Sequence, residues 1–206
     1  MSDVPAATVL IVDCGTGNLR SIVNMLKRVG VSSVVSADPV QVANAAKLIL
    51  PGVGAFDNGM RTLEKLGLID ALHASVIERR VPTLGICLGM QLMANRSEEG
   101  TRKGLGWIDG ETVRLTHARI PHMGWNSTVI RKSSRLFYDL GDEPNFYFMH
   151  SYHVRLLRSE DQVSATTYGD EFSSALEKNN ILGVQFHPEK SHKYGMKLLR
   201  NFTTLY

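Results

Sequence analysis

The chain has 206 residues, of which 43% are hydrophobic and 21% charged, and a formal net charge of +3 at pH 7. We expect residues 1–206 to form one globular domain, because this length and composition can bury a full core. Basic and acidic residues are interspersed, no apolar run approaches the ~18 residues of a membrane span, and the start of the chain lacks a signal-peptide pattern. These features argue against nucleic-acid and membrane partners. Two cysteines are too few for a disulfide framework, so we expect a cytoplasmic protein.

Short apolar runs alternate with helical patterns through the first half of the chain. Four runs have the character of strands: 9–12, 34–35, 47–50 and 81–86. Three stretches have helical spacing or a helix start: 18–29, 38 onward and about 63–80. This alternation predicts an α/β fold with an open, mostly parallel sheet and helices on both faces.

The pattern changes at about Gly104 to alternating polar and apolar residues. The alternation covers 111–115 and parts of two longer stretches, 145–155 and 163–177. A buried strand at 181–186 and a helix from about Ser191 follow. We therefore expect extra antiparallel or mixed strands beside the parallel sheet.

Cys87 is the candidate nucleophile. Gly85 and Gly89 flank it between a strand-like run and a helical pattern, which is the arrangement of a nucleophile elbow with sulfur in place of oxygen. Such a turn leaves no room for neighbouring side chains, and a helix N-terminus beside the thiol favours the thiolate. The alternative is an unreactive core cysteine. Cys14, at the end of the first strand, is interpreted as a small apolar residue that fills space.

His187 and Glu189 are the candidate base and its orienting group. In an extended chain, residues two apart project to the same side, and Pro188 stiffens the backbone between them. We expect this pair to reach Cys87, because the carboxyl ends of parallel strands meet at one edge of an α/β sheet. The alternative is an exposed polar loop.

An acyl-transfer site also needs donors for the oxyanion. One candidate is the backbone N–H of Leu88, which follows the nucleophile. The glycine-rich loop 51–56 offers the second, from Val53 or Gly54. A tight turn is the alternative for this loop; a phosphate-binding loop is disfavoured, because no Lys-Ser/Thr follows. The remaining histidines lack metal-ligand spacing, so we expect neither a metal nor a cofactor.

Together these motifs resemble the triad-type (class I) glutamine amidotransferases over almost the whole chain. The matching segments are PGVGAF (51–56), GICLGMQLM (85–93) and GVQFHPEKS (183–191). The resemblance implies a flavodoxin-like fold and a reaction in which Cys87 attacks the side-chain amide of glutamine and releases ammonia. His187 would then transfer protons, with Glu189 orienting it. It also implies that four residues bind the α-amino and α-carboxylate groups of glutamine: Gln91, His150, Ser151 and Tyr152.

Three further segments look like one branch of this family: DCGTGNLRS (13–21), PHMGWN (121–126) and FYFMHSY (146–152). Members of that branch pass ammonia to a separate (β/α)8-barrel cyclase subunit, so the resemblance implies a heterodimer. Four residues fall in motifs that look like the interface with this subunit: Asn18, Met123, Trp125 and Lys190. Trp125 also lies in a glycine-containing, non-repetitive segment typical of a contact surface. One departure is Cys14, where the family more usually has tyrosine, and it concerns local packing.

Two alternatives stay open at this point. One is a peptidase or γ-glutamyl hydrolase with the same Cys-His-Glu apparatus. The other is a non-catalytic binding subunit on the same fold.

Overall fold

A computed structural model describes residues 8–15, 17–116 and 119–206. Within these ranges the chain forms twelve strands: β1 (Val9–Val12), β2 (Ser33–Ser36), β3 (Leu48–Gly52), β4 (Thr83–Cys87), β5 (Gly110–Arg114), β6 (His122–Ser127), β7 (Val129–Ile130), β8 (Asn145–His150), β9 (Tyr152–Leu156), β10 (Gln162–Tyr168), β11 (Asp170–Lys178) and β12 (Ile181–Val184). Eight of them form the central sheet, in the order β2-β1-β3-β4-β12-β11-β10-β7. The first five strands are parallel and the last three antiparallel. The parallel part has the 2-1-3-4-5 order of flavodoxin-like folds, as expected.

Helices cover both faces of this sheet. They are α1 (Leu19–Arg28), α2 (Pro39–Asn44), α3 (Phe56–Lys65), α4 (Leu68–His73), α5 (Leu88–Leu92) and α6 (His192–Leu205). Helices α1 and α6 pack on one face, and α2 to α5 on the other. Adjacent residues of β1 therefore contribute to opposite cores: Leu10 points to the α2–α5 face and Ile11 to the α1–α6 face.

Local sequence explains the start of several helices. The Asn18 side chain caps α1 by accepting a hydrogen bond from the backbone N–H of Ser21 at 3.3 Å. Asp38 caps α2 by accepting from the N–H of Val40 at 2.9 Å, and Pro39 occupies the first helical position.

The prediction of a single helix over about 63–80 is wrong. Helix α3 begins earlier, at Phe56, and ends before Gly67, which adopts a left-handed φ of 65°. Helix α4 follows and continues into a π-helical turn, Ala74–Glu78. Apolar spacing runs through this stretch, but glycine at φ > 0 ends a helix at little cost and so divides it.

Two small antiparallel sheets lie beside the central one, β5 with β9 and β6 with β8. The segment 121–126, expected to be non-repetitive, instead contributes most of strand β6. Its side chains alternate: His122 is buried, whereas Met123 and Trp125 are exposed. Strand β6 therefore has one face in the protein interior and the other on the outer surface.

Across the described residues, no helix has both the length and the apolar character needed to cross a membrane.

Candidate active site

Cys87 lies at a strained turn between β4 and α5. Its φ of 53° and ψ of −110° are outside the regions that side-chain-bearing residues normally adopt. A Cβ on Gly85 would lie 2.8 Å from the backbone nitrogen of Met90, and one on Gly89 would lie 1.8 Å from the carbonyl oxygen of Leu50. Both glycines are therefore required by close packing around the turn, as the elbow motif predicted.

His187 and Glu189 lie at the carboxyl end of the neighbouring strand. Strands β4 and β12 are parallel partners, which brings the segment after β12 next to Cys87. The Nδ1 atom of His187 is 2.8 Å from Oε1 of Glu189, and the two side chains are only 2% and 3% exposed. The expected contact is present, but the expected extended chain is wrong, because Pro188–Lys190 forms a 3₁₀ turn. The turn, rather than strand alternation, carries the carboxylate back to the ring.

The surroundings of His187 favour its protonated form. Burial by itself lowers the pKa of this histidine, but the Cys87 and Glu189 side chains outweigh burial and raise the pKa from 6.5 to about 10. Nε2 of His187 is buried, and in the described part of the chain it has no hydrogen-bond partner. The ring is therefore held through Nδ1, and its Nε2 is left available to accept or donate a proton.

The sulfur of Cys87 contacts a residue that the sequence analysis did not single out. Nε2 of Gln185 donates to Sγ of Cys87 at 3.7 Å. Sγ in turn lies 3.9 Å from the carbonyl oxygen of Met149. Gln185 is fully buried and precedes His187 by two residues in the segment 183–191. Its place in a motif that already supplies the candidate base was the available cue.

A cavity of about 330 Å³ opens beside Cys87. It is lined by Val53, Gly54, Ala55, Cys87, Leu88, Gln91, Glu99, Pro121, Met149, His150, Ser151 and Tyr152. The cavity thus brings together all the residues predicted for the oxyanion and for glutamine. The loop at 53–55 reaches it because Gly52 pairs with Cys87 across β3 and β4. Gly54 has a φ of +104°, which favours glycine.

Glu99 is a second residue that the sequence analysis missed. Its Oε2 accepts a hydrogen bond at 2.7 Å from the backbone N–H of Phe56, at the start of α3. Ala55 supplies no side-chain cap to that helix. Glu99 therefore satisfies a free N–H group at the helix start and fixes the end of the loop that lines the cavity. Because Glu99 is 43 residues away from Phe56 in sequence, no local sequence pattern could have predicted this cap.

His150, which also lines the cavity, belongs to a series of linked hydrogen bonds. Its Nδ1 is 2.9 Å from the carbonyl oxygen of Tyr152, so Nδ1 carries the proton. Its Nε2 is 3.1 Å from Nδ1 of His122, which is therefore the donor. Nδ2 of Asn126 lies 3.3 Å from Nε2 of His122 and also donates to the carbonyl oxygen of Thr167. The chain of donors runs in one direction, from Asn126 to the cavity wall.

Within this series of hydrogen bonds, the imidazole of His150 is neutral. Burial is the main cause that lowers its pKa, from 6.5 to about 3, and the neighbouring histidines lower it further. The ring of His122 is stacked between Phe148 and Tyr168, with centroid distances of 4.7 and 4.1 Å. Packing therefore fixes the orientation of the hydrogen-bonded pair His122–His150.

The residues predicted for a partner interface lie at the surface, in two places. Met123 and Trp125 are 60% and 47% exposed on the outer face of β6. Trp125 stacks on His192 with centroids 5.3 Å apart, and Nζ of Lys190 lies 5.5 Å from the ring of Tyr147 on β8. We call Met123, Trp125, Tyr147, Lys190 and His192 the aromatic patch. Asn18 is exposed at the start of α1, a helix that packs against the Pro188–Lys190 turn.

Cys14 is buried in the hydrophobic core, in agreement with its interpretation as a small apolar residue. Its thiol lies 3.3 Å from the carbonyl oxygen of Pro51, which precedes the cavity loop. Among the described residues, no group of three or more His, Cys, Asp or Glu side chains is arranged to hold a metal ion.

Comparison with known proteins identifies the family. Residues 10–205 match the sequence profile described as glutamine amidotransferase class-I. In the structure known as PurLQS from Thermotoga maritima, 96% of that chain aligns with 95% of this one, at a TM-score of 0.75 and 16% identity. A crystal structure described as a glutamine amidotransferase aligns at a TM-score of 0.74 and 19% identity, covering 94% of this chain and 96% of its own. These two structures show the fold alone. With the profile match, the chain belongs to the class-I glutamine amidotransferases.

Sequence relatives narrow the assignment. Imidazole glycerol phosphate synthase subunit HisH 2 of Methanococcus maripaludis is 49% identical over 197 residues, which cover 94% of this chain and 98% of the relative. Subunit HisH 2 of Pseudomonas aeruginosa is 44% identical over 200 residues, covering 96% and 99%. Subunit HisH of Chlorobium chlorochromatii is 46% identical over 202 residues, covering 96% and 100%. Within its class, the chain is a member of the HisH family.

Proposed function

We propose that Cys87, His187 and Glu189 perform the glutaminase reaction of this chain. As a member of the HisH family, the chain hydrolyses glutamine for imidazole glycerol phosphate synthase, in histidine biosynthesis. One observation carries the assignment to residues. The strained cysteine and the buried His187–Glu189 pair lie at the carboxyl ends of adjacent parallel strands, and a cavity opens beside the cysteine.

The proposed reaction has two halves. The thiolate of Cys87 attacks the side-chain amide carbon of glutamine and forms a tetrahedral oxyanion. His187 donates the proton from Nε2 to the amide nitrogen, and the C–N bond breaks. Ammonia departs, and the glutamyl group remains bound to Cys87 as a thioester. The neutral ring then takes a proton from water, whose oxygen attacks the thioester, and the C–S bond breaks to give glutamate and the thiolate. Glu189 holds Nδ1 throughout and stabilises the imidazolium.

Backbone and side-chain groups around the cavity are assigned to the rest of the substrate. We assign the oxyanion to the N–H of Leu88 and to that of Val53 or Gly54. Both Nε2 hydrogens of Gln91 are committed, to the carbonyl oxygen of Tyr152 at 2.8 Å and to Oε1 of Gln185 at 3.1 Å. This leaves Oε1 of Gln91 as an acceptor for the α-ammonium group. His150, Ser151 and Tyr152 then form the wall assigned to the α-carboxylate.

The outer surface next to this cavity is assigned to the synthase partner. We propose that the aromatic patch and Asn18 contact a (β/α)8-barrel cyclase subunit in a heterodimer, and that ammonia passes to that subunit. Exposed tryptophan and methionine are enriched in the energetic centres or cores of interfaces, which supports the patch as a contact. We also propose a cytoplasmic location and one glutaminase domain over residues 1–206, the latter supported by cores on both faces of one sheet.

The test replaces each cysteine in turn. In the complex with its cyclase, Cys87→Ala should abolish glutamine-dependent synthesis of imidazole glycerol phosphate, while added ammonia still supports it. Cys14→Ala, the matched control, should keep most of the glutamine-dependent activity, because that thiol packs in the core. Glutamine-dependent activity in Cys87→Ala would overturn the assignment. Hydrolysis of peptides but not of glutamine by the unaltered chain would favour a peptidase instead.

A further inference from the structure

Gln185 is a buried amide placed against the proposed nucleophile. It follows β12, its side chain is fully buried, and its backbone N–H donates to the carbonyl oxygen of Ser174 on β11 at 2.9 Å. The neighbouring strand thereby fixes the backbone of Gln185, and the side-chain amide is available to contact Cys87. The Nε2–Sγ distance of 3.7 Å is within hydrogen-bonding range for sulfur.

The orientation of this amide is set by its neighbour. Oε1 of Gln185 accepts a hydrogen bond from Nε2 of Gln91 at 3.1 Å, so the NH2 end of Gln185 faces the sulfur. Gln91 is held in turn by the carbonyl oxygen of Tyr152 at 2.8 Å. Three buried groups therefore form a series of hydrogen bonds, in which Gln91 donates to Gln185 and Gln185 donates to Cys87.

An amide N–H stabilises a thiolate more strongly than a neutral thiol, because hydrogen bonds to charged acceptors are the stronger ones. The same bond restricts where Sγ lies relative to the cavity. We propose that Gln185 is a positioning residue, which stabilises the Cys87 thiolate and couples it to Gln91 at the substrate cavity. This inference rests on the proposed role of Cys87 as nucleophile.

The coupling has a chemical consequence for substrate binding. A glutamine whose α-ammonium group binds Oε1 of Gln91 polarises that amide and strengthens its N–H donation to Gln185. Gln185 then donates more strongly to Sγ. Occupation of the amino-group site is thereby transmitted to the nucleophile through two side-chain amides, without movement of the backbone.

The first test measures the rate at which iodoacetamide alkylates Cys87, as a function of pH, in the full chain without glutamine. In Gln185→Leu the midpoint should rise by about one to two pH units, since hydrogen bonds to charged groups shift an equilibrium roughly tenfold to a hundredfold. Gln185→Glu keeps the shape and places a carboxylate beside the thiolate, so its midpoint should also rise. The control Ser164→Ala removes a buried hydroxyl that contacts Ser174 and should leave the midpoint unchanged.

A second readout separates binding from catalysis. In the complex with the cyclase, kcat for glutamine should fall about tenfold to a hundredfold in Gln185→Leu, by the same hydrogen-bond strength, with a smaller change in KM. An unchanged alkylation midpoint in the folded variants would overturn the inference. Alkylation requires no turnover of glutamine, so this result is distinguishable from a failure of Cys87→Ala to abolish activity.

A third measurement uses the unaltered protein and does not depend on whether a variant folds. The side-chain amide resonances of Gln185 in ¹⁵N NMR spectra should shift as the pH is raised through the alkylation midpoint, and should change again when Cys87 is alkylated. Resonances that respond to neither treatment would overturn the hydrogen bond to sulfur.

Discussion

Two buried histidines near Cys87 have pKa values shifted in opposite directions: His150 lines the cavity, and His187 follows the strand beside the cysteine. His187 sits beside a carboxylate and the cysteine, and its pKa is raised to about 10. His150 sits against a carbonyl oxygen and a second histidine, and its pKa is lowered to about 3. Burial lowers the pKa of both. The difference lies in the partners, so burial alone does not determine which histidine can act as an acid.

The two regions also differ in what surrounds them. The His187 region lies next to β4 and β12 of the parallel sheet. His150 and His122 lie on the small β6–β8 sheet, whose outer face carries Trp125. One region thus pairs a histidine with a carboxylate, and the other links two histidines by a hydrogen bond, one of them on the strand whose outer face carries Trp125.

Among changes to these two histidine regions, the largest expected effect comes from removing the carboxylate of Glu189. Glu189→Gln keeps the shape but not the charge, so His187 should lose the part of its bias toward the protonated form that Glu189 contributes beside Cys87. We expect kcat for glutamine in the complex to fall by about 10²-fold or more, since general acid–base catalysis contributes factors of that order. Activity within a few-fold of the unaltered enzyme would show that Glu189 does not set the state of His187.

The same variant has a signature in stability. A raised histidine pKa stabilises the folded state fully below the unfolded pKa of about 6.5, and this contribution is lost as the pH rises toward about 10. The unfolding free energy of Glu189→Gln should therefore differ more from that of the unaltered chain near pH 6 than near pH 10. Urea unfolding of both proteins at pH 6 and at pH 10 measures this difference in unfolding free energy.

A smaller effect tests the outer face of the second region. Trp125→Ala should raise the Kd for the cyclase about 30-fold, or about 2 kcal/mol, as expected for an aromatic side chain at the centre of an interface. Isothermal titration calorimetry measures this change. Leu157→Ala is the matched control, because Leu157 is 67% exposed and lies outside the aromatic patch. Equal effects of the two substitutions would place the interface elsewhere.

The smallest effect concerns His150. A depressed histidine pKa destabilises the folded chain as the pH falls from about 6.5 toward about 3, because only the unfolded state takes up the proton. For one such group this loss is roughly 1.5 kcal/mol between pH 6.5 and 5. His150→Asn keeps a donor for the carbonyl oxygen of Tyr152 and should remove that part of the pH dependence in urea unfolding. Parallel curves for the two proteins would show that His150 is not held neutral.

The fold was largely predictable from sequence because its cues are local. Apolar runs and helix starts predicted the parallel strands and α1, and the alternation after Gly104 predicted strands beside them. The helix over 63–80 was mispredicted because apolar spacing continues across Gly67, where a left-handed φ of 65° ends α3 and separates it from α4.

For the site, the residue types suited to the proposed chemistry could be read from short sequence motifs. Cys87 between two glycines, and His187 ahead of Glu189, stand in short motifs whose spacing is local. The remaining contacts come from the three-dimensional packing, because their partners are distant in the chain. Glu99 caps a helix 43 residues away, His122 bonds His150 across 28 residues, and Gln185 meets Cys87 across 98. Such pairs form when separate strands and loops pack at one edge of the sheet, and no periodicity in the sequence encodes them.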